Sequence, residues 1–251
     1  MKKLIAASVA LVVASLLNAE AQNMSQGKAE VRAIRGSAQY STGGNVWVPL
    51  KVGTVLKSGS TVKTAADSSV DCFLGANGPV VRVTENTQMG FDKLAYNRAD
   101  AETVIETELN LANGRILGNV KKLAAASKYE VKVPNGVAGI RGTDFEVTVT
   151  QRADGKVDVT VTCVTGQIVA AFVVDGVTRT AVLGTGETYS SLTGQTIKIS
   201  ATDYARLRGE LSGMEKPGFT PGGTVYNAET DKRQYFSPTV GINPEIQSNP
   251  L

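Results

Sequence analysis

The stretch from Phe145 to Cys163 reads apolar and polar by turns. Phe145, Val147 and Val149 alternate with Glu146, Thr148 and Thr150. Past Ala153-Asp154-Gly155, the residues Val157, Val159, Val161 and Cys163 alternate with Asp158, Thr160 and Thr162. A period of two sorts apolar and polar side chains onto opposite faces of an extended strand, one in a core and one in water, whereas a helix would scatter the same pattern around its axis. Strands that are wet on one face belong to antiparallel or solenoidal sheets, not to parallel sheets buried on both sides. The same grammar recurs at 31–40, 46–50, 54–56, 61–63, 70–74, 79–84, 103–111, 115–120, 129–133, 168–174, 177–183 and 196–200. The 31 Val and 25 Thr favour extended backbone, since branching at Cβ restricts χ1 in a helix and packs well on a pleated surface. Asn113-Gly114 and Asp175-Gly176 each predict a tight hairpin, because both residue types tolerate positive φ. The expected fold is therefore all-β: an antiparallel β-sandwich or a short solenoid-like β-domain.

Three stretches leave this pattern. Residues 95–102 are polar and read as a loop or a short helical turn. Residues 200–212 read as one short C-terminal helix, capped by Ser200 with Asp203 and carrying Tyr204, Leu207 and Leu211 on one stripe. Residues 213–251 hold five of the eight prolines and read as an irregular Pro-rich tail. Its aromatics Phe219, Tyr226, Tyr235 and Phe236 either dock on the domain or mark a partner-binding segment. At the other end, Lys2 and Lys3 precede an apolar run over 4–17, and Ala19-Glu20-Ala21 supplies a small-x-small cleavage pattern. Residues 1–21 are thus expected to be a secretory signal peptide, too short in its apolar part to span a bilayer. The expected organisation is a signal peptide at 1–21, a β-domain at 29–199, a helix at 200–212 and a tail at 213–251. The product is expected to be exported, periplasmic or extracellular, with no membrane span after cleavage.

The 251 residues include no histidine, so Ser-His-Asp and Cys-His catalysis and histidine metal sites are excluded. The formal net charge of +3 gives no general electrostatic case for a nucleic-acid partner. Gly184-Thr185-Gly186 lacks the third glycine of a dinucleotide loop and stands between strands. Asp154 and Asp158 lack calcium-loop spacing, and two cysteines without histidine make no ordinary zinc site. No cofactor and no catalytic or metal-binding residue is expected. Asp144, Glu146, Asp158 and Glu187 are the formal candidates for an acid–base pair, but Glu146 and Asp158 fall on outward faces of alternating strands. Cys72 and Cys163 both fall at inward positions, where they either form a disulfide or serve as two small buried apolar residues. Trp47 reads as a core anchor, with a sugar platform as the alternative.

Several of these segments together resemble a known family. Gly36-Ser37-Ala38, Trp47-Val48-Pro49-Leu50, Gly53-Thr54-Val55-Leu56, Ser58-Gly59 and Val62-Lys63-Thr64 resemble the opening of the FecR domain. The run 69–75 is similar to its next strand and turn. Residues 129–134 then lead through Gly136-Val137-Ala138 to Gly139-Ile140-Arg141-Gly142-Thr143-Asp144-Phe145, which resembles the family's Gly-x-Arg-Gly-Thr-x-Phe signature. The resemblance covers roughly 31–192. It implies an all-β periplasmic domain that transmits signals by protein contact, in iron-uptake regulators between an outer-membrane receptor and a sigma factor. Here the anti-sigma and transmembrane parts are expected to be missing. Within the signature, Gly139 and Gly142 read as a tight corner between two strands, Arg141 as a donor to exposed carbonyls, Thr143 as a backbone-bonding hydroxyl and Phe145 as the start of a buried stripe. The leading expectation is a non-catalytic domain that binds another envelope protein through sheet edges or the tail. The rival is a polysaccharide-binding module, which predicts aromatics such as Tyr40, Trp47 and Tyr96 along one exposed face.

Overall fold

The computed structural model describes residues 24–98, 102–215, 224–227 and 232–235. The expected signal peptide and the tail aromatics Phe219 and Phe236 lie outside the described residues. The first strands are β1 (Ser25–Gln26), β2 (Ala29–Arg35), β3 (Ala38–Ser41), β4 (Val48–Pro49), β5 (Val55–Leu56) and β6 (Ser60–Thr64). Next come β7 (Ser69–Phe73), β8 (Val80–Val83), β9 (Gln88–Asn97), β10 (Val104–Asn119) and β11 (Lys128–Val133). The series continues with β12 (Gly136–Gln151), β13 (Val157–Val174), β14 (Val177–Gly184), β15 (Glu187–Ser190) and β16 (Gln195–Lys198). Helix α1 covers Ala201–Glu215, and β17 (Thr224–Asn227) pairs with β18 (Lys232–Tyr235) as a separate ladder.

Three strands are too long for one layer and change partners part-way. The first half of β10 pairs with β9 and β11, and its second half with β8 and β12. The start of β12 lies between β11 and the second half of β13, whereas its end lies between β10 and the first half of β13. The first half of β13 continues to β15 and the second half to β14. One layer thus runs β4-β3-β6-β9-β10-β11-β12-β13-β14, and the other β5-β2-β7-β8-β10-β12-β13-β15-β16. The expected antiparallel sandwich is what forms, open rather than closed, with the β10–β11 pair running parallel. Both layers share one core. Phe91, Leu109, Val131, Ile168 and Phe172 come from the first, and Val31, Cys72, Val81, Val147 and Val161 from the second.

The partner exchange explains two departures from the sequence reading. Asn113-Gly114 does not turn a hairpin. It bends one continuous strand, β10, at a register shift, with Gly114 at φ 90°. A Cβ there would sit 2.5 Å from the Cα of Thr87, so the dipeptide serves a close approach rather than a reversal. Residues 95–97, expected in a loop or turn, extend β9. By contrast, Asp175-Gly176 closes a tight hairpin, with φ of 51° and 75° and Val174 facing Val177.

Candidate interaction surface

The signature segment lies inside β12 and not at a corner between strands. Register slips between Arg141 and Asp144, and Gly142 takes φ 63°. The facing strand bends at the same level through Gly166, at φ 88°. A Cβ on Gly166 would run into the Gly142 carbonyl oxygen and lie 2.6 Å from Thr143 Cγ2, so the two strands approach backbone to backbone at this point. These paired bends carry β12 and β13 from one layer to the other. Arg141 does not bond exposed carbonyls as expected; it is exposed, because its position in β12 faces solvent. The Thr143 hydroxyl is buried with no hydrogen-bond partner among the described residues, while the Thr143 carbonyl accepts the Val120 N–H at 2.8 Å. Phe145 is fully buried, edge-on to Tyr129 at 6.1 Å between centroids, with its ring against Gly118.

The variable position of the signature, Asp144, does what the sequence did not announce. Its carboxylate accepts from Arg208 Nη1 at 2.8 Å, from Thr165 Oγ1 at 2.9 Å and from the Asn119 amide. Arg208 belongs to α1, so the signature anchors the helix. A second anchor stands beside it: Arg115 donates to Glu146 at 2.6 Å and to Glu210 of α1 at 2.9 Å. Between the anchors Leu207, Leu211 and Met214 pack on Leu117 and Val164, with Val80, Ile199 and Tyr204 at the rim. Ser200 caps the helix, accepting the Asp203 N–H at 3.0 Å. The outer face of the second layer is thereby covered by the chain's own helix.

The four carboxylates considered for acid–base work are each occupied. Asp144 and Glu146 hold the helix. Asp158 accepts from Ser190 at 2.9 Å, and Glu187 from the Gly184 N–H at 2.7 Å and from Lys198 at 3.1 Å. Those bonds hold Glu187 below the ordinary carboxylate range, the backbone N–H first. A catalytic acid needs the opposite shift. Cys72 and Cys163 are two separate buried thiols in place of the bridge weighed from the sequence. Burial pushes Cys163 up to about 11, with Glu187 and Asp144 adding to it, and burial raises Cys72 further. Thiolate chemistry at neutral pH is suppressed at both. Trp47 is not a core anchor: it is half-buried in the loop before β4, with Lys63 Nζ 5.9 Å from its ring centroid. Tyr40 and Tyr96 pack against the core, so they do not form an exposed aromatic strip with it.

The outer face of the first layer carries no helix among the described residues. One half is a lattice of charges: Glu106 with Lys93, Glu108 with Lys128 and Lys132, and Glu130 with Lys128. The other half is apolar. Val169, Val173 and Val182 are 49%, 52% and 58% exposed. Gly139, Val169 and Val182 form one cross-strand row, and Val137, Ala171 and Thr180 the next. This face ends on β14, which among the described residues pairs only with β13. Eight residues long, β14 is the longest strand bonded on one side only among those described; β16 has four residues and β5 two. The sequence signal for it was present in Asp175-Gly176 and the alternation that follows. Period-two patterning marks a face as wet, but it does not mark an edge as unpaired.

Residues 60–169 match the family described as FecR protein, so the resemblance read from the sequence is borne out over that segment. No curated protein matches the chain. Two crystal structures of a protein described as an anti-sigma factor from Parabacteroides distasonis align with TM-scores of 0.41 and 0.40 at 15% identity. The alignment covers 56% of this chain and spans 59% of the length of those structures. No helix among the described residues is long and apolar enough to cross a membrane.

Proposed function

We propose that this protein is an exported, non-catalytic FecR-like domain that acts as a protein-binding sensor or adaptor in the cell envelope. The observation that supports this best is the open edge of β14, continuous with an exposed valine face. Backbone donors and acceptors at an unpaired edge recruit an added strand, and exposed apolar patches mark contact surfaces. The four carboxylates, already engaged in ion pairs and hydrogen bonds, favour binding over catalysis. In this reading Gly139, Gly142, Thr143 and Phe145 serve the fold: they bend the shared strands and, with Asp144, seat the helix, while Arg141 stands exposed on β12. The proposed organisation is a signal peptide at 1–21, a domain at 29–199 with its helix Ala201–Glu215 packed on it, longer than the 200–212 expected, and a tail after residue 215.

The test is cross-linking of the tagged chain in intact cells, followed by identification of what is captured. One dominant envelope protein is the expected result. Capture of no protein, with the chain retained on cell-wall or capsular polysaccharide, would replace this reading with a glycan-binding module.

A further inference from the structure

We propose that the open edge of β14 takes an added strand in which acidic residues alternate with β-branched ones, a specification that rests on the protein-binding reading above. The backbone supplies the first half of the case. Val174 and Val177 close the two-residue hairpin, so Val177, Arg179, Ala181 and Leu183 direct their backbone groups to β13. Thr178, Thr180 and Val182 then direct N–H and C=O outward, to solvent. Two bonds agree with this phase. The outward N–H of Gly184, next in the series, is taken by the Glu187 carboxylate at 2.7 Å, which terminates the edge. On β13, the Val173 N–H points away from β14 and reaches Asn135 O at 2.7 Å. Three adjacent donor–acceptor positions remain for a partner strand.

Charge supplies the second half. Residues 136–143, 164–174 and 177–184 contain Arg141 and Arg179 and no Asp or Glu. Both arginines are exposed, and neither belongs to an ion pair among the described residues. On the other half of the same layer every lysine of β9 and β11 has a carboxylate partner. Arg179 lies on the face of β14 away from the valines, across from Phe172 and in phase with Ala181, and has no ion-pair partner among the described residues, so complementarity assigns acidic groups on that side of the edge to the partner. Register assigns their places. Thr178 and Val182 lie opposite Val173 and Val169, so strand residues facing them extend the valine face and are β-branched. Strand residues facing Arg179 and Ala181 share the face of Arg179 and are acidic. A second copy of this chain fits less well. The register that joins two valine faces sets Thr180 opposite Thr180 and brings the two Arg179 side chains to diagonal positions about 7–8 Å apart, like charges with no acid between them.

The test uses the full chain and two short labelled peptides, one alternating valine with glutamate and one alternating valine with lysine. Binding is read by fluorescence anisotropy. The glutamate peptide is expected to bind about tenfold more tightly, and Arg179→Glu to reverse the preference. Thr180→Pro removes an outward N–H at a position where an edge tolerates proline, so it abolishes binding while leaving the thermal midpoint unchanged. Equal affinity for both peptides, no binding of either, or binding that survives Thr180→Pro would overturn the proposal. So would a concentration-dependent dimer lost in Thr180→Pro, which assigns the edge to a second copy. Cross-linking in cells separates the two levels. Capture of the same protein by wild type and Thr180→Pro leaves the protein-binding reading standing and removes the edge. Capture by neither removes the reading itself.

Discussion

Phe145 and Gly166 show how single side chains, or their absence, hold the shared strands. Phe145 fills the core beneath the bend in β12, with Tyr129 on its edge and Gly118 against its ring. Phe145→Ala is expected to cost about 3–5 kcal/mol, read as a lower midpoint in urea unfolding with an unchanged slope. Gly166→Ala forces a side chain into a left-handed conformation already in contact with Thr143. It is expected to destabilise by more than about 1 kcal/mol, the cost of the backbone conformation alone. Asn77 is a third such residue. Fully buried, its amide donates to Ala95 O at 2.8 Å, Glu106 O at 3.0 Å and Thr107 Oγ1 at 3.0 Å. Asn77→Ala strands these acceptors and is expected to cost about 1–3 kcal/mol in the same assay. A thiol reagent tests the two cysteines: slow reaction in the folded chain and two equivalents after denaturation are expected from buried free thiols.

At the scale of elements, α1 is the part whose stability rests most on its docking. Gly209 lies in its interior with open space where a Cβ would be. Gly209→Ala is therefore expected to stabilise the protein by about 0.5–1 kcal/mol, since alanine is the better helix former and meets no obstacle. Leu207→Ala is expected to loosen the helix selectively, with faster amide exchange in α1 than in the core strands. How far these elements were legible follows from what each depends on. The strand pair around residues 145–163 and the hairpin at Asp175-Gly176 declare themselves locally, through alternation and turn chemistry. So does the helix, through Ser200, Asp203 and the spacing of Leu207 and Leu211. Asn113-Gly114 misleads because the same positive-φ tolerance serves a bend in a continuous strand. Asp144 and Arg115 are silent because their partners, Arg208 and Glu210, lie 64 and 95 residues away. Trp47 misleads because aromatic size predicts burial only where a layer passes over it.

On the scale of the whole molecule, side-chain titration between about pH 3 and 7 is confined to carboxylates, as histidine is absent. Glu108 is held below the ordinary carboxylate range, first by its hydrogen bond from Lys132 and then by the nearby Lys132 and Lys128 charges. Asp203 is likewise lowered, first by the Ser200 hydroxyl. A carboxylate with a lower pKa folded than unfolded adds stability above its unfolded value, and loses it as pH falls through the folded one. The thermal midpoint is therefore expected to be flat from about pH 5 to 8 and to fall below about pH 4. Glu108→Gln is expected to make that fall shallower.

One layer is covered by the chain's own helix, while the other ends in an open strand, the proposed meeting place with a partner. A photo-reactive residue placed at Thr180, on that strand, and another at Thr148, on the outer face of the helix-bearing layer, would test this in intact cells. A discrete protein adduct from position 180 and none from position 148 are expected. Equal labelling from both positions, or no protein adduct from 180 with the chain held on polysaccharide, would contradict it.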